Sequence, residues 1–488
     1  MKKNSITQGL FFIYFEKFFS QLVSLVVTIV LSRILMPKDY GVVAIITIFL
    51  NIADVFVTAG FGNALIQKKH VDDKDYSTIL SFSLCISLFL YVIFYLGAPY
   101  IAAYYIMPDL NPLFRVLALR LPLASIASIQ QAYISRNMLF HKQFLSTLAG
   151  SIISAILGII MAVKGFGAWA LVAQYLCGSI ISLIVLQCLI SLKYKIGFTK
   201  ERFSSLFSFG WKVLLTVLIN RIYNEIRSLV IGKMFTPADL AFYTKGQFFP
   251  NLLMSNIDSS LTRVLFPVIS RQQDDLLQVR SLVSNTVSIS TYLIIPLLTF
   301  LGIIADKLVL LVLTEKWLPC VPYLQIFCVY YMFIPINSAK YQAITAIGRS
   351  DVSLKCEIIQ KFFGVIILLY TIFISRTIFA IVFGNIAFMI VALIITSIVC
   401  KKYINLSYLQ QVKDIMHSII IGVLVYAILY IVSDICVNNY IDLLIQSITF
   451  IAIFIIASKL FGFVEYVKLE HLFLSVFEKM KTKNKIKI

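Results

Sequence analysis

The sequence predicts an all-α, multi-pass membrane protein with about fourteen transmembrane helices, built as two related halves and two further helices. Three observations support this fold class. First, 60% of the 488 residues are hydrophobic and 13% are charged, with a mean hydropathy of +0.92, which is far more apolar than a globular domain. Second, the apolar residues form continuous runs, which favours helices over the alternating strands of a barrel. Third, a short motif recurs after 200 residues.

The apolar runs are long enough to cross a bilayer, since a spanning helix needs roughly 20 residues. Charged or turn-forming residues separate the runs, so each run is predicted as one helix. In chain order they cover residues 10–32, 41–66, 79–106, 113–134, 144–163, 168–192, 205–235, 240–266, 282–313, 319–347, 352–375, 377–400, 414–436 and 440–460.

The recurring motif indicates a duplication. Pro37 and Asp39 follow the first predicted helix, and Pro237 and Asp239 follow the seventh at the same spacing. The later pairs Pro122 with Pro335 and Arg136 with Arg349 share an offset of 213, as expected if a loop lengthened in the second copy. Repeated halves are typical of transporters, in which the substrate path runs between them.

The net charge of +19 comes from basic residues spread over alternate loops rather than gathered in one patch, which argues against a nucleic-acid partner. Their distribution follows the positive-inside rule with both termini in the cytoplasm. The lysine-rich C-terminal tail, residues 463–488, has two explanations. It contacts anionic lipid headgroups, or it is a solvated end that fixes topology.

Neither metal chemistry nor catalysis has a sequence signal. The eight cysteines lack a C-x-x-C spacing and the four histidines are isolated, so we predict no metal site, no disulfide framework and no cofactor. The predicted loops are too short for a catalytic module, and we expect a protein that is not an enzyme.

Polar and charged residues inside predicted spans are the main functional signal, because each charge costs about 2.5 to 3.5 kcal/mol at mid-membrane. The leading helix of each half is polar along one face. In the first helix these residues are Glu16, Lys17, Ser20, Gln21 and Ser24, and in the seventh they are Asn220, Arg221, Asn224, Glu225 and Arg227. Two explanations remain open: polar packing between helices, or a hydrated cationic cavity.

Further intramembrane charges extend this set: Asp54, Asp258, Arg263, Lys340 and Lys361. The bases Lys17, Arg221, Arg227, Arg263, Lys340 and Lys361 are the candidate ligands of an anionic headgroup, because guanidinium and ammonium groups bind phosphate by charge-assisted hydrogen bonds. The acids Glu16, Asp54, Glu225 and Asp258 are the candidates for binding a coupling proton or sodium ion.

Several blocks, in order along about 400 residues, resemble the polysaccharide flippases of the Wzx type, in the superfamily that also contains MATE exporters and MurJ-type lipid II flippases. The colanic-acid and exopolysaccharide branch is the most similar. The blocks include Phe15-Glu16-Lys17, Ser32-Arg33-Ile34-Leu35, Pro37-Lys38-Asp39-Tyr40-Gly41, Gly60-Phe61-Gly62-Asn63, Gly165-Phe166-Gly167-Ala168-Trp169, Ser228-Leu229-Val230-Ile231-Gly232-Lys233, Glu315-Lys316-Trp317 and Gly348-Arg349-Ser350-Asp351.

The resemblance implies two six-helix lobes in a V, residues 1–200 and 201–402, with helices thirteen and fourteen at 403–462. It also implies a bacterial inner-membrane protein that moves an undecaprenyl-diphosphate-linked oligosaccharide by alternating access. Membrane lipids and other polysaccharide-assembly proteins are the expected partners. The rival functions are a MATE-like cation-coupled exporter, against which the intramembrane bases argue, and a membrane enzyme of polysaccharide assembly.

Overall fold

The computed structural model describes residues 3–58, 65, 71–190, 197–433 and 438–470. Within these ranges the side chains of residues 3–14, 17, 204–206, 208–210, 212 and 259–264 are not described. The described chain is helical and contains no β-strand, which confirms the predicted all-α class.

The chain forms two compact units, Met1–Ala241 and Phe242–Ile488. The helices of the first unit pack on one another, and the last helix of this unit packs on its second helix. They are α1 (Lys3–Ile34), α2 (Pro37–Thr58), α3 (Asp73–Tyr105), α4 (Leu110–Leu117), α5 (Arg120–Asn137), α6 (Phe140–Val163), α7 (Ala168–Leu189) and α8 (Lys200–Met234).

Helix α9 (Pro237–Ser270) begins in the first unit and continues in the second. The remaining helices all belong to the second unit, where a buried apolar cluster lies between several of them. They are α10 (Leu276–Ile303), α11 (Ala305–Val312), α12 (Val321–Met332), α13 (Ile334–Ala346), α14 (Ser350–Tyr370), α15 (Ile378–Ile404), α16 (Tyr408–Val432) and α17 (Asn439–Leu460).

Eleven helical segments among the described residues are long and apolar enough to cross a membrane, and Phe18–Ile34 is a shorter apolar one. The chain is therefore a multi-pass membrane protein. Helices α8 and α9, predicted as spans, have 35 and 34 residues and carry charged residues within their length. Counting them with Phe18–Ile34 gives the fourteen predicted spans, and that number stays a prediction.

The duplicated motif forms the same turn in both copies. The Met36 backbone N–H donates to Asp39 Oδ2 at 3.0 Å, and the Thr236 backbone N–H donates to Asp239 Oδ2 at 3.0 Å. In each copy a proline opens the next helix, where its missing N–H has no intrahelical partner to lose. The repeat inferred from the sequence is therefore present in the local structure.

The two turns also touch each other. A Cβ atom added to Gly41 would lie 1.8 Å from the Pro237 carbonyl oxygen, so no residue with a side chain fits at this position without movement. The contact brings α8 against α2, because both helices begin or end at these turns.

A second repeated feature is a break inside a span. Helix α4 ends at Leu117 and α5 starts at Arg120, with Pro122 in its first turn, while α12 ends at Met332 and α13 starts with Pro335 in its first turn. Proline suits the first turn of a new helix, whereas within a helix it removes one backbone hydrogen bond. In the first unit the break places Arg120 within the span 110–137.

Helices α6 and α7 approach closely because small residues face each other. A Cβ atom added to Gly150 would lie 2.0 Å from Ser182 Oγ and 2.8 Å from the Gly178 carbonyl oxygen. Small residues of this kind allow close van der Waals packing of helices in a membrane. Helix α5 packs against both of them.

The compact units do not coincide with the predicted lobes. The boundary predicted at residue 200 follows the sequence repeat, whereas the compact units divide after Ala241 because α8 packs on α2. The lobe boundaries, the V arrangement and the separate segment 403–462 stay predictions. Most of the predicted basic tail, residues 471–488, lies outside the described residues.

Candidate functional site

The first unit contains a cavity of about 600 Å³, which we call the polar cavity. It lies between helices α2, α5, α6 and α7, and serine, threonine and glutamine side chains make up much of its wall. Its polar lining includes Asp54, Arg120, Ser128, Gln131, Gln143 and Ser179. A wall of this composition between spanning helices is unusual, because unsatisfied polar groups are costly in hydrocarbon.

An ion pair lies at one edge of the polar cavity. Arg120 Nη2 is 3.0 Å from Asp54 Oδ2, and their side chains are 30% and 17% exposed. Asp54 was a candidate from the sequence, but Arg120 was missed, although it lies inside the apolar run 113–134. The break between α4 and α5 brings this arginine to the acid on α2.

The ion pair continues into a chain of alternating charges that reaches α8. Arg221 Nε is 3.4 Å from Glu225 Oε1, to which Asn51 Nδ2 also donates at 3.1 Å, and Arg221 interacts favourably with the Asp54 carboxylate. Two acids and two bases are thus arranged in one network across α2, α5 and α8. Its formal charge is zero rather than positive.

Glu16 on α1 contacts two residues that line the polar cavity. Thr147 Oγ1 donates to Glu16 Oε1 at 3.0 Å, and Gln143 forms another hydrogen bond with this carboxylate. Of the neighbouring candidates, Ser20 and Gln21 are partly buried and Ser24 is exposed. The predicted base Lys17 has a side chain outside the described residues.

The other candidates on α8 have local surroundings. Asn220 Nδ2 donates to the Thr216 carbonyl of its own helix at 3.1 Å, and Asn224 is exposed. Arg227 is buried, with Nη2 3.4 Å from the Tyr223 hydroxyl and its guanidinium 5.2 Å from the centre of that ring. A guanidinium on an aromatic face gains cation–π energy.

The candidate bases of the second unit lie at separate places. Lys340 Nζ donates to Gln411 Oε1 at 2.7 Å and Ser397 Oγ at 2.9 Å, and Lys361 Nζ is 2.7 Å from Glu357 Oε1. Asp258 has a buried Oδ1 atom without a hydrogen-bond partner, and the Arg263 side chain lies outside the described residues.

Sequence reasoning also missed two buried lysines of the second unit. Lys307 forms an ion pair with Asp442, which is fully buried and also accepts from Gln446 Nε2 at 2.8 Å. Lys245 is buried 5.4 Å from the Trp317 ring centre and 5.8 Å from that of Phe248. Each lysine interrupts an otherwise apolar stretch, which was the available signal.

At its start, helix α8 is attached to α3. Arg202 Nη1 is 3.0 Å from Asp75 Oδ1 and also contacts Asp72, the N-cap of α3. Hydrogen bonding to Asp75 and Asp72 raises the pKa of Arg202 above its usual value. The attachment positions the start of the helix that carries Arg221 and Glu225. Among the described residues, no group of three or more histidine, cysteine, aspartate and glutamate side chains suits a metal ion.

Comparison with known proteins identifies the family. The model of a family described as "Polysaccharide biosynthesis protein" matches residues 30–322, more than half of the chain. The chain belongs to this family. The chain is similar to "Succinoglycan biosynthesis transport protein ExoT" of Rhizobium meliloti (strain 1021), with 22% identity over 59% of the chain and 58% of ExoT. It is also similar to "Teichuronic acid biosynthesis protein TuaB" of Bacillus subtilis (strain 168), with 24% identity over 62% of the chain and 63% of TuaB.

The chain is also similar to "Lipopolysaccharide biosynthesis protein WzxC" of Escherichia coli (strain K12), with 22% identity over 68% of both proteins. The chain spans 58 to 63% of the length of the first three curated relatives that it matches.

Solved structures show the same fold. The chain matches "Lipid II flippase MurJ, inward closed conformation" with a TM-score of 0.74 and 14% identity, over 93% of the chain and 98% of MurJ. It matches an inward-facing MATE transporter of the MOP superfamily with a TM-score of 0.62 and 16% identity, over 80% of the chain and 96% of the transporter. The family model confirms the likeness to polysaccharide-biosynthesis proteins that the sequence blocks predicted, and these solved structures show the shared fold.

Proposed function

We propose that the chain translocates an undecaprenyl-diphosphate-linked oligosaccharide across the bacterial cytoplasmic membrane for capsule, O-antigen or exopolysaccharide synthesis. The observation that carries the proposal is the polar cavity, about 600 Å³ in volume and bordered by the Asp54–Arg120 pair, between helices apolar enough to span a membrane. Ionisable groups inside a membrane mark substrate or ion pathways, because burying them there is costly.

The relatives support this assignment. Their names refer to succinoglycan transport, teichuronic acid biosynthesis and lipopolysaccharide biosynthesis, three surface polymers of different chemistry. A transporter of the sugar carrier common to such pathways accounts for one family serving all three, since the polymers themselves differ.

The proposed mechanism is alternating access. The hydrophilic headgroup enters between the helices while the polyprenyl chain stays in the lipid, where its transfer free energy is favourable. Lys17, Arg221 and Arg227 bind the diphosphate or acidic sugars, for which charged N–H donors are suited. The Asp54–Arg120 and Arg221–Glu225 pairs are broken and re-formed as the protein changes conformation.

Ion coupling would use the acids of the same region. Glu16, Asp54 and Glu225 lie in the first unit within reach of polar neighbours, and Asp258 has a buried unpartnered oxygen. Binding a proton or sodium ion at one of them changes the local charge and therefore the preference between two conformations. Both termini lie in the cytoplasm in this proposal.

The test is export in a strain lacking the gene. We expect loss of the surface polymer and accumulation of the lipid-linked repeat unit, with recovery when the full chain is supplied. The charge-neutral variants Lys17→Met, Arg221→Gln and Arg227→Gln should reduce export, whereas the exposed Lys164→Met serves as the matched control. Full export by all three variants at normal protein level would contradict the proposed site.

A MATE-like exporter is the second candidate, because a MATE transporter shares the fold with a TM-score of 0.62. Such an exporter lowers susceptibility to lipophilic cations, and the flippase does not. Drug susceptibility measured with and without the gene separates the two functions. A membrane enzyme of polysaccharide assembly is the third, and conversion of a labelled lipid-linked sugar by the purified chain would favour it.

A further inference from the structure

The wall of the polar cavity offers mainly hydrogen-bond acceptors. Ser128 Oγ donates to the Ser125 carbonyl at 2.8 Å and Ser179 Oγ donates to the Tyr175 carbonyl at 3.0 Å. Ser146 Oγ donates to the Ser182 carbonyl at 2.6 Å. A hydroxyl has one proton to donate and two lone pairs, so each of these side chains accepts from a ligand as long as it keeps its bond to the carbonyl.

Two further acceptors in the wall are buried and without a donor. Asp54 Oδ1 and Gln130 Oε1 have no hydrogen-bond partner, although Asp54 Oδ2 pairs with Arg120 and Gln130 Nε2 donates to Gln187 Oε1 at 3.2 Å. A buried polar atom left unsatisfied costs about 1 to 3 kcal/mol. A ligand that brings donors to both atoms therefore gains more than the same contacts would give in water.

These acceptors decide between the two ends of a glycolipid headgroup. A diphosphate carries only acceptor oxygens and negative charge, so it is repelled by Asp54 Oδ1 and has no donor at Gln130 Oε1. A pyranose ring has several hydroxyl groups, each with a proton to donate. Arg120 supplies the complementary donors, because one of its N–H groups bonds to Asp54 and a guanidinium has five.

The size of the cavity supports the same ligand. About 600 Å³ lies within the range of roughly 300 to 1,000 Å³ found for small-molecule sites, and a single cation would fill only a small part of it. Of the bases proposed for the diphosphate, the described side chains of Arg221 and Arg227 are not part of the cavity lining. The sugar and the diphosphate would then have different binding sites.

We propose that the polar cavity of the first unit is a binding site for an uncharged pyranose ring of the transported glycan, recognised through the acceptors on α2, α5 and α7. This inference rests on the proposed function and makes it more specific. Ser128, Ser179 and Gln130 then determine which hydroxyl configuration is accepted, since each accepts from a fixed direction.

The experiment is saturation-transfer difference NMR on the purified full chain in a detergent without a sugar headgroup. The probes are galactose, N-acetylglucosamine and inorganic pyrophosphate. The variant Ser128→Ala/Ser179→Ala removes two acceptors, and Ala127→Phe fills the cavity from its wall. The matched control is Ser270→Ala in the second unit, whose hydroxyl donates to the Phe266 carbonyl at 2.9 Å in the same intrahelical way.

We expect signals from at least one neutral sugar with the wild-type chain and with Ser270→Ala. Binding should weaken roughly tenfold in Ser128→Ala/Ser179→Ala, from two lost hydrogen bonds, and disappear in Ala127→Phe. Pyrophosphate should not displace the sugar. Displacement by pyrophosphate, sugar binding that survives Ala127→Phe, or no binding of either sugar overturns the proposal. Normal polymer export in the complemented deletion strain would show in those cases that the proposed function still holds.

Discussion

The charged side chains within the predicted spans have different partners in the two compact units. In the first unit, Asp54, Arg120, Arg221 and Glu225 form one network beside an open polar cavity. In the second unit, Lys307, Lys340 and Lys361 each have a separate set of partners on neighbouring helices or on their own helix. The first arrangement leaves acceptors free for a ligand, whereas the second satisfies each lysine within the protein.

This difference shows that an intramembrane charge by itself does not identify a substrate site. The Lys307–Asp442 pair connects α11 to α17, and the Lys340–Gln411 contact connects α13 to α16. In a membrane such contacts hold helices together. We therefore propose that binding belongs to the first unit and that the lysines of the second attach helices, while the substrate-binding role predicted for Lys340 and Lys361 stays a prediction.

The largest expected effect tests this assignment directly. Arg120→Met should reduce polymer export more than tenfold, because it leaves the partly buried Asp54 carboxylate without its ion-pair partner between spanning helices, where an unpaired charge is costly. The control Lys361→Met removes an equally close partner, that of Glu357, from the second unit and should retain most of the export. The amount of surface polymer is measured at matched protein level. Equal losses of export in both variants would contradict the different roles proposed for the two units.

The next effect concerns stability rather than transport. Lys307→Met should lower the stability of the second unit by about 3 to 5 kcal/mol, since Asp442 is fully buried and would lose its counter-charge. The double variant Lys307→Met/Asp442→Leu should recover much of this loss. Thermal unfolding in detergent measures both. Export per folded molecule should stay near the wild-type level, and a specific export defect would instead place this pair on the transport path.

A smaller effect is expected from helix packing in the first unit. Gly150→Leu should destabilise the protein by about 1 to 3 kcal/mol, because the added side chain meets Ser182 and the Gly178 backbone. The matched control is Gly97→Leu in α3, where an added Cβ meets no atom within 4 Å. Thermal unfolding compares the two variants. Equal melting temperatures would show that α6 and α7 can move apart without loss of stability.

The smallest effect is a dependence of stability on pH in the second unit. Burial alone would raise the pKa of Glu465, but hydrogen bonds from Ser288 and His417 outweigh it, so the pKa is lowered. A lowered carboxyl pKa adds stability that is complete above the unfolded value of about 4.3 and is lost as the pH falls further. Glu465→Gln should flatten this acid-side decrease in melting temperature, whereas an unchanged profile would assign it to other groups.

Much of the fold could be predicted from the sequence because helix formation in a membrane is governed by local hydropathy. The duplicated turn at Pro37 and Pro237 was also recognisable, since its aspartate has the same capping role in both copies. Pro122 and Pro335 were recognised as matching positions of the repeat, and not as the places where helices break. Whether a proline bends or ends a helix depends on tertiary packing, which one sequence does not contain.

The candidate site was predicted less completely, because pairing between helices depends on contacts far apart in the chain. Asp54 pairs with Arg120, which lies 66 residues later in the chain (120 − 54 = 66). No rule of sequence spacing predicts a pair at this separation. The expectation of a basic cavity counted charges without their partners. Arg221 and Glu225 were recognisable as a pair because they are one helical turn apart.

The contact between Gly41 and Pro237 joins two copies of one turn. Any side chain at residue 41 would have to displace the Pro237 backbone, whereas the equivalent position of the second copy holds a methyl group, that of Ala241. The same position of one repeated turn is therefore under a different steric limit in each copy.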